Sequence, residues 1–218
     1  MKILSCSSHK GRPREFCVDA ALAAALRVFW SKGYEGASLN ELTCAMGITK
    51  PSLYAAFGNK ESLFRQALDL YEREKLDYIG KALEAPTARG VAERMLRGAL
   101  EMQMGGDPKG CMNVVNSVAC GVEAESIRAE VNARGAVVKE AIIGRFERAK
   151  AEGDLPQSVD PRGLTSYLVA IAQGMALQAG AGATCEDLNA LMETSLQAWP
   201  TSDSRHEETL STKKYQSV

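Results

Sequence analysis

Ser38-Leu-Asn-Glu-Leu-Thr-Cys-Ala-Met-Gly-Ile-Thr-Lys-Pro-Ser-Leu-Tyr-Ala-Ala-Phe-Gly-Asn-Lys-Glu-Ser62 reads as two short helices joined by a tight turn, with a third beginning behind them. Ser38 and Glu41 have the spacing of a capping box, in which each side chain satisfies a backbone N–H at a helix start. Leu39, Leu42 and Ala45 give that helix an apolar face. Gly47 stands where the chain must turn sharply, at a positive φ that costs glycine little. Thr49 can cap the next helix, and Pro51 fits its first turn, where a missing N–H is no loss. Leu53 and Phe57 are four apart and face inward, which leaves Lys50, Ser52, Tyr54 and Ala55 outside. The pattern is that of a helix-turn-helix, whose second helix can enter a DNA major groove.

An ordinary helical hairpin in an all-α core would share these caps, so the neighbouring sequence matters. A basic arm, Lys10-Gly-Arg-Pro-Arg14, comes first. An amphipathic helix from about Val18 to Lys32, with Leu22, Leu26, Phe29 and Trp30 on one side, can complete a three-helix module. Asn59-Lys60-Glu61 opens a long helix where a lysine can meet phosphate.

Residues 12–64 resemble the DNA-binding domain of the TetR/AcrR family of bacterial transcriptional regulators. The resemblance is carried by Gly11-Arg-Pro-Arg, Ala25-Leu-Arg-Val-Phe, Lys32-Gly-Tyr-Glu-Gly-Ala-Ser-Leu, Met46-Gly-Ile-Thr-Lys-Pro-Ser-Leu-Tyr, Phe57 and Lys60-Glu-Ser-Leu-Phe. It implies a DNA face of Arg12, Arg14, Thr49, Lys50, Pro51, Ser52, Tyr54 and Lys60, with Tyr54 and Lys60 on phosphate. One position departs. Many relatives carry histidine just before the phenylalanine, and this chain has Ala56, so one phosphate contact is expected to be missing.

The 218-residue chain is 45% hydrophobic, enough for a proper core, and its net charge of −1 gives no sign of nucleic acid. The distribution does. Residues 1–60 hold eight Lys/Arg against four acidic residues, and the remainder holds 18 basic against 23 acidic. A basic module on an acidic body suits a DNA reader coupled to something else. No apolar run is long enough to span a membrane and no signal-peptide core stands at the start, so a cytoplasmic location is expected. Cys6, Cys17, Cys44, Cys111, Cys120 and Cys185 form no C-x-x-C pair, and the histidines are His9 and His206. Neither a metal site, a cofactor nor an enzyme is expected, because no nucleophile–base constellation or phosphate loop is present.

The expected fold is all-α: a flexible arm over 1–11, the helix-turn-helix domain over 12–64, a helical effector-binding and dimerisation domain over 65–199, and a disordered tail over 200–218. One long helix is expected from Lys60 to about Leu83, then helices over 88–104, 111–121, 125–151, 160–179 and 185–199. Small residues (Ala170, Ala172, Gly174, Ala176, Ala179, Gly180, Ala190) on the last two suit close helix approach, by intramolecular packing or across a dimer. In the family these helices form a dimer interface, and a two-fold dimer on a palindromic operator doubles the DNA contacts. Met102, Met104 and Met112, with Asn113, Asn116, Ser117 and Gln173, suggest an effector pocket, although such a methionine stripe also fits plain core. Cys111 opens the 111–121 helix, where the positive dipole end can make a thiol nucleophilic, and a buried inert thiol is the alternative. By resemblance, Gly-Cys at a comparable place occurs in electrophile-sensing members. The leading expectation is a repressor released from double-stranded DNA by a small effector. A thiol-based sensor using Cys111 and a dimeric adaptor without DNA reading stand as alternatives.

Overall fold

The computed structural model describes residues 16–105, 108–118, 121 and 124–201. Among these residues all regular structure is helical. The elements are α1 (Val18–Gly36), α2 (Leu39–Met46), α3 (Lys50–Phe57), α4 (Lys60–Lys75), α5 (Asp77–Leu83), α6 (Ala88–Met104), α7 (Met112–Val118), α8 (Glu125–Ala151), α9 (Pro161–Gly180) and α10 (Cys185–Gln197).

Local signals set most of these boundaries. The Ser38–Glu41 capping box starts α2, Thr49 caps α3, Asn59 caps α4 and Thr87 caps α6. Asp160 accepts from the N–H groups of Arg162 and Gly163 before Pro161 leads into α9. Gly47 ends α2 in the left-handed region at φ 66°. Nothing crowds a Cβ there, so only the backbone conformation selects glycine, a preference of about 1–2 kcal/mol.

Two hydrophobic cores organise the chain. The first gathers Leu26, Phe29, Trp30, Leu42, Leu53, Phe57, Leu63 and Phe64. Edge-on ring contacts join Phe29 to Phe64 at 5.1 Å and Trp30 to Tyr71 at 4.9 Å, each worth about 0.5–1.5 kcal/mol beyond the area buried. This core runs on past residue 64 through Ala67, Leu68, Leu70 and Tyr71 and takes in Met112, Ile127 and Val131. The second core is built from α5, α6, α8, α9 and α10 around Leu96, Ile142, Phe146, Leu168, Met175 and Trp199. Arg145 is buried beside it, and its Nη2 donates to the carbonyls of Ala85 and Pro86 at 2.7 and 2.9 Å.

Three expectations need correction. The helix from Lys60 does not continue to Leu83: it breaks at Leu76 (φ −107°, ψ 4°). The break lets the Tyr78 ring lie against Gly98 of α6, where a Cβ would approach the ring to 2.3 Å. The first helix reaches Gly36 across a kink at Gly33 (φ 72°, ψ 174°). Val115 comes so close that a Cβ at Gly33 would meet its Cγ1 at 3.3 Å. The third is the 111–121 helix, which begins at Met112 and leaves Cys111 outside it; residues 119 and 120 lie outside the described residues.

Candidate nucleic-acid interface and small-molecule cavity

The outward face of α3 follows from its inward one. Leu53 and Phe57 are buried, which turns Lys50, Pro51 and Tyr54 to solvent. Thr49 accepts the Ser52 N–H at 3.3 Å, and the two hydroxyls lie 2.9 Å apart. Lys60, at the start of α4, holds its ammonium 4.5 Å from the centre of the Tyr34 ring. Of the DNA-face residues expected from the sequence, Thr49, Lys50, Pro51 and Tyr54 are exposed and Ser52 is half-buried. Arg12 and Arg14 lie outside the described residues. Exposed Asn40 and Cys44 of α2 share a groove of about 570 Å³ with Thr49 and Ser52. Sequence reading passed over both, although they are four apart on the polar side of α2.

Lys32 pairs with Glu41 and so ties α1 to the start of α2. That hydrogen bond, followed by those from Ser38, holds the Glu41 carboxyl down at about 2. The capping carboxylate is therefore ionised throughout the neutral range, as the N-terminus of a helix favours.

A cavity of about 530 Å³ opens between α5, α6, α7, α8 and α9. Met102, Cys111, Asn113, Ser117 and Gln173 all stand on its wall. Met112 and Asn116 do not, which corrects their expected place as pocket residues, and Met104 projects to solvent at 62% exposure. The helical period explains the split. Asn113, Val114 and Ser117 face the cavity, while Met112 and Asn116, four apart on the other side of α7, turn toward α1. Sequence reading also missed Tyr78, Asn132 and Lys139 on the wall. Lys139 is exposed on α8.

The inner end of the cavity is hydrogen-bonded to the helix-turn-helix module. Gln103 holds the Gly110 peptide at both ends, accepting its N–H at 2.8 Å and donating to its carbonyl at 3.3 Å. The same carbonyl accepts from the Trp30 indole of α1 at 3.2 Å. The Tyr71 hydroxyl of α4 donates to Cys111 Sγ at 3.3 Å and accepts the Met112 N–H at 3.3 Å. Burial, and then the neighbouring Cys111, pushes that hydroxyl well above its ordinary value, so it keeps its proton and remains a donor. Asn116 Oδ1 accepts the Tyr34 N–H at 2.8 Å, and Gly121 N–H donates to Glu35 at 2.8 Å. A charged lattice adds to these links. Arg134 of α8 reaches Asp69 and Glu72 of α4, and Arg65 of α4 reaches Glu130 of α8.

Residues 21–67 match the pattern described as "Bacterial regulatory proteins, tetR family". Over 194 residues the chain is 32% identical to the HTH-type transcriptional repressor ComR of Escherichia coli (strain K12), which spans 88% of this chain and 92% of that protein. The chain belongs to the tetR family. Its fold is similar to that of the TetR family transcriptional regulator CifR, solved as a cysteine mutant with 26bp double-strand operator DNA. That likeness has a TM-score of 0.82 and 39% identity, and covers 87% of this chain and all of that one. A TetR regulator from Rhodococcus sp. RHA1 is 38% identical over 83% of this chain and 98% of that one, with a TM-score of 0.58. In this tetR-family chain the matched stretch runs from α1 into α4, so it contains the whole of α2 and α3. Among the described residues no helix is long and apolar enough to cross a membrane.

Proposed function

We propose that this chain is a cytoplasmic transcriptional repressor, without enzymatic activity, that reads a palindromic operator as a homodimer and leaves it when a small effector occupies the α5–α9 cavity. The observation that carries this reading is the double attachment of α7. One side of the helix forms cavity wall, and the other is hydrogen-bonded to α1 of the helix-turn-helix module. A ligand that binds better to one position of α7 shifts the population of the reading module by no more than that difference in affinity. ComR carries the name of a repressor and CifR was solved on operator DNA, which supports the same function here. The outward side of α9, with Tyr167, Gly174 and Leu177, supplies the partner-facing surface; Tyr167 is 38% and Leu177 65% exposed. Gel shifts with intergenic DNA upstream of the chain's own gene and its neighbours test the reading. Retention of one fragment by a dimer at nanomolar concentration is expected, and equal affinity for every fragment would refute operator reading.

A second reading has its own support. Cys111 stands on the cavity wall with its sulfur hydrogen-bonded to Tyr71 of α4. Alkylation or oxidation of that sulfur would displace the Tyr71 hydroxyl and act on the same helices as a bound ligand.

A further inference from the structure

The cavity wall is chemically one-sided. Met95, Met102, Val114, Val138, Ile142 and Val169 supply its apolar surface. Among the described residues no Asp or Glu lines it, and the one charged side chain on its wall is Lys139, exposed on α8. Lys139 makes no ion pair among the described residues, and the adjacent Glu140 is paired with Arg162. Deeper in, Asn113 Oδ1 is buried and has no hydrogen-bond donor among the described residues. A buried acceptor left in that state has lost its solvation without compensation, so the site favours an occupant that brings an O–H or N–H to it. At about 530 Å³ the cavity lies within the roughly 300–1,000 Å³ of small-molecule sites.

We propose that the effector is a hydroxylated aliphatic carboxylate of medium chain length. Its alkyl body lies among the methionine and branched side chains. Its carboxylate reaches Lys139 at the mouth, where water still solvates both charges. Its hydroxyl donates to Asn113 Oδ1. Lipophilic cations are excluded by the same wall: a quaternary ammonium would lose hydration, meet no carboxylate and stand beside a lysine. The inference rests on the effector-cavity reading above and specifies its ligand.

Calorimetric titration of the full-length protein with decanoate, hydroxydecanoate, decanol and decyltrimethylammonium tests it. The expected order is hydroxydecanoate, decanoate, decanol and then the cation, with decanoate ahead of the cation by at least about fivefold, as a solvent-exposed charge contact allows. Lys139→Glu should reverse the order of decanoate and the cation. Asn113→Leu should remove the advantage of the hydroxyl while leaving decanoate binding in place. Cation binding equal to that of decanoate, an unchanged order in Lys139→Glu, or no hydroxyl advantage in the wild type would each overturn the proposal. Operator binding measured without any ligand is separate. Its loss would refute the repressor reading, whereas intact operator binding with the wrong ligand order refutes the ligand class alone.

Discussion

Asn116 of α7 accepts the backbone N–H of Tyr34 at 2.8 Å, joining positions 82 residues apart. Asn116 is almost completely buried, and its amide donates to the Met112 carbonyl at 2.7 Å within its own helix. The Tyr34 ring lies beneath the Lys60 ammonium and edge-on to Phe64 at 5.3 Å. Asn116, on the side of α7 away from the cavity, is thus two contacts from a lysine at the start of α4.

Asn116→Leu leaves the Tyr34 N–H and the Met112 carbonyl without their side-chain partner. A loss of about 1–3 kcal/mol in urea unfolding is expected. Effector-driven release should also weaken, read as a smaller ratio of operator affinities with and without ligand. An unchanged ratio would show that coupling runs through Trp30–Gly110 or Tyr71 instead.

Lys60→Ala should weaken operator and random DNA alike and lower the slope of log affinity against log salt by about one unit, as for a single phosphate contact. A loss confined to the specific sequence would place Lys60 on a base edge.

For the dimer, the structure changes which substitutions are informative. Ala172 packs against the second core and lines the cavity, so a charge there disrupts folding or ligand binding. Gly174 has open space around its Cβ position and Leu177 is exposed. Gly174→Glu and Leu177→Glu are therefore expected to yield folded monomers by light scattering, with operator binding lost. Variants that remain dimeric would move the interface off α9.

Glu41 predicts a pH dependence with a definite sign. Its carboxyl is held at about 2 in the fold against an ordinary value of 4.5, chiefly by the hydrogen bond from Lys32 and then by those from Ser38. A depressed folded value contributes stability that is present above the ordinary value and is lost as pH falls from about 4.5 toward 2. Circular-dichroism melts between those limits should show the wild-type midpoint falling more steeply than that of Glu41→Gln. Parallel curves would mean that the cap does not contribute.

The thiol route needs a control that the structure supplies. Cys44 is exposed in the groove beside Thr49 and Ser52, so an oxidant can act at the DNA face without reaching the cavity. In a Cys44→Ser background, release by quinones that disappears in Cys111→Ser would assign the switch to Cys111. Release that persists there would exclude it.

Arg145 was not singled out from the sequence, where it is one of four arginines on α8. Buried, and closing the carbonyls of Ala85 and Pro86, it clips the α5–α6 turn to α8. Its role depends on partners about sixty positions away, and no local pattern contains them.

The helix-turn-helix was legible because its determinants act over three or four residues. The Ser38–Glu41 box, Gly47, Thr49 before Pro51 and the Leu53–Phe57 pair satisfy their own backbone or their own helix period, whatever packs around them. The start of α9 at Asp160-Pro161 was legible for the same reason. Tertiary packing alone decided the break at Leu76, where the Tyr78 ring needs the bare surface of Gly98. It also decided which side of α7 faces the cavity. Periodicity places Met112 with Asn116 and Asn113 with Ser117, but both sides carry an amide. The side chosen depends on Tyr34, Tyr71 and Trp30, and those partners are brought to α7 only when the two cores close on one another.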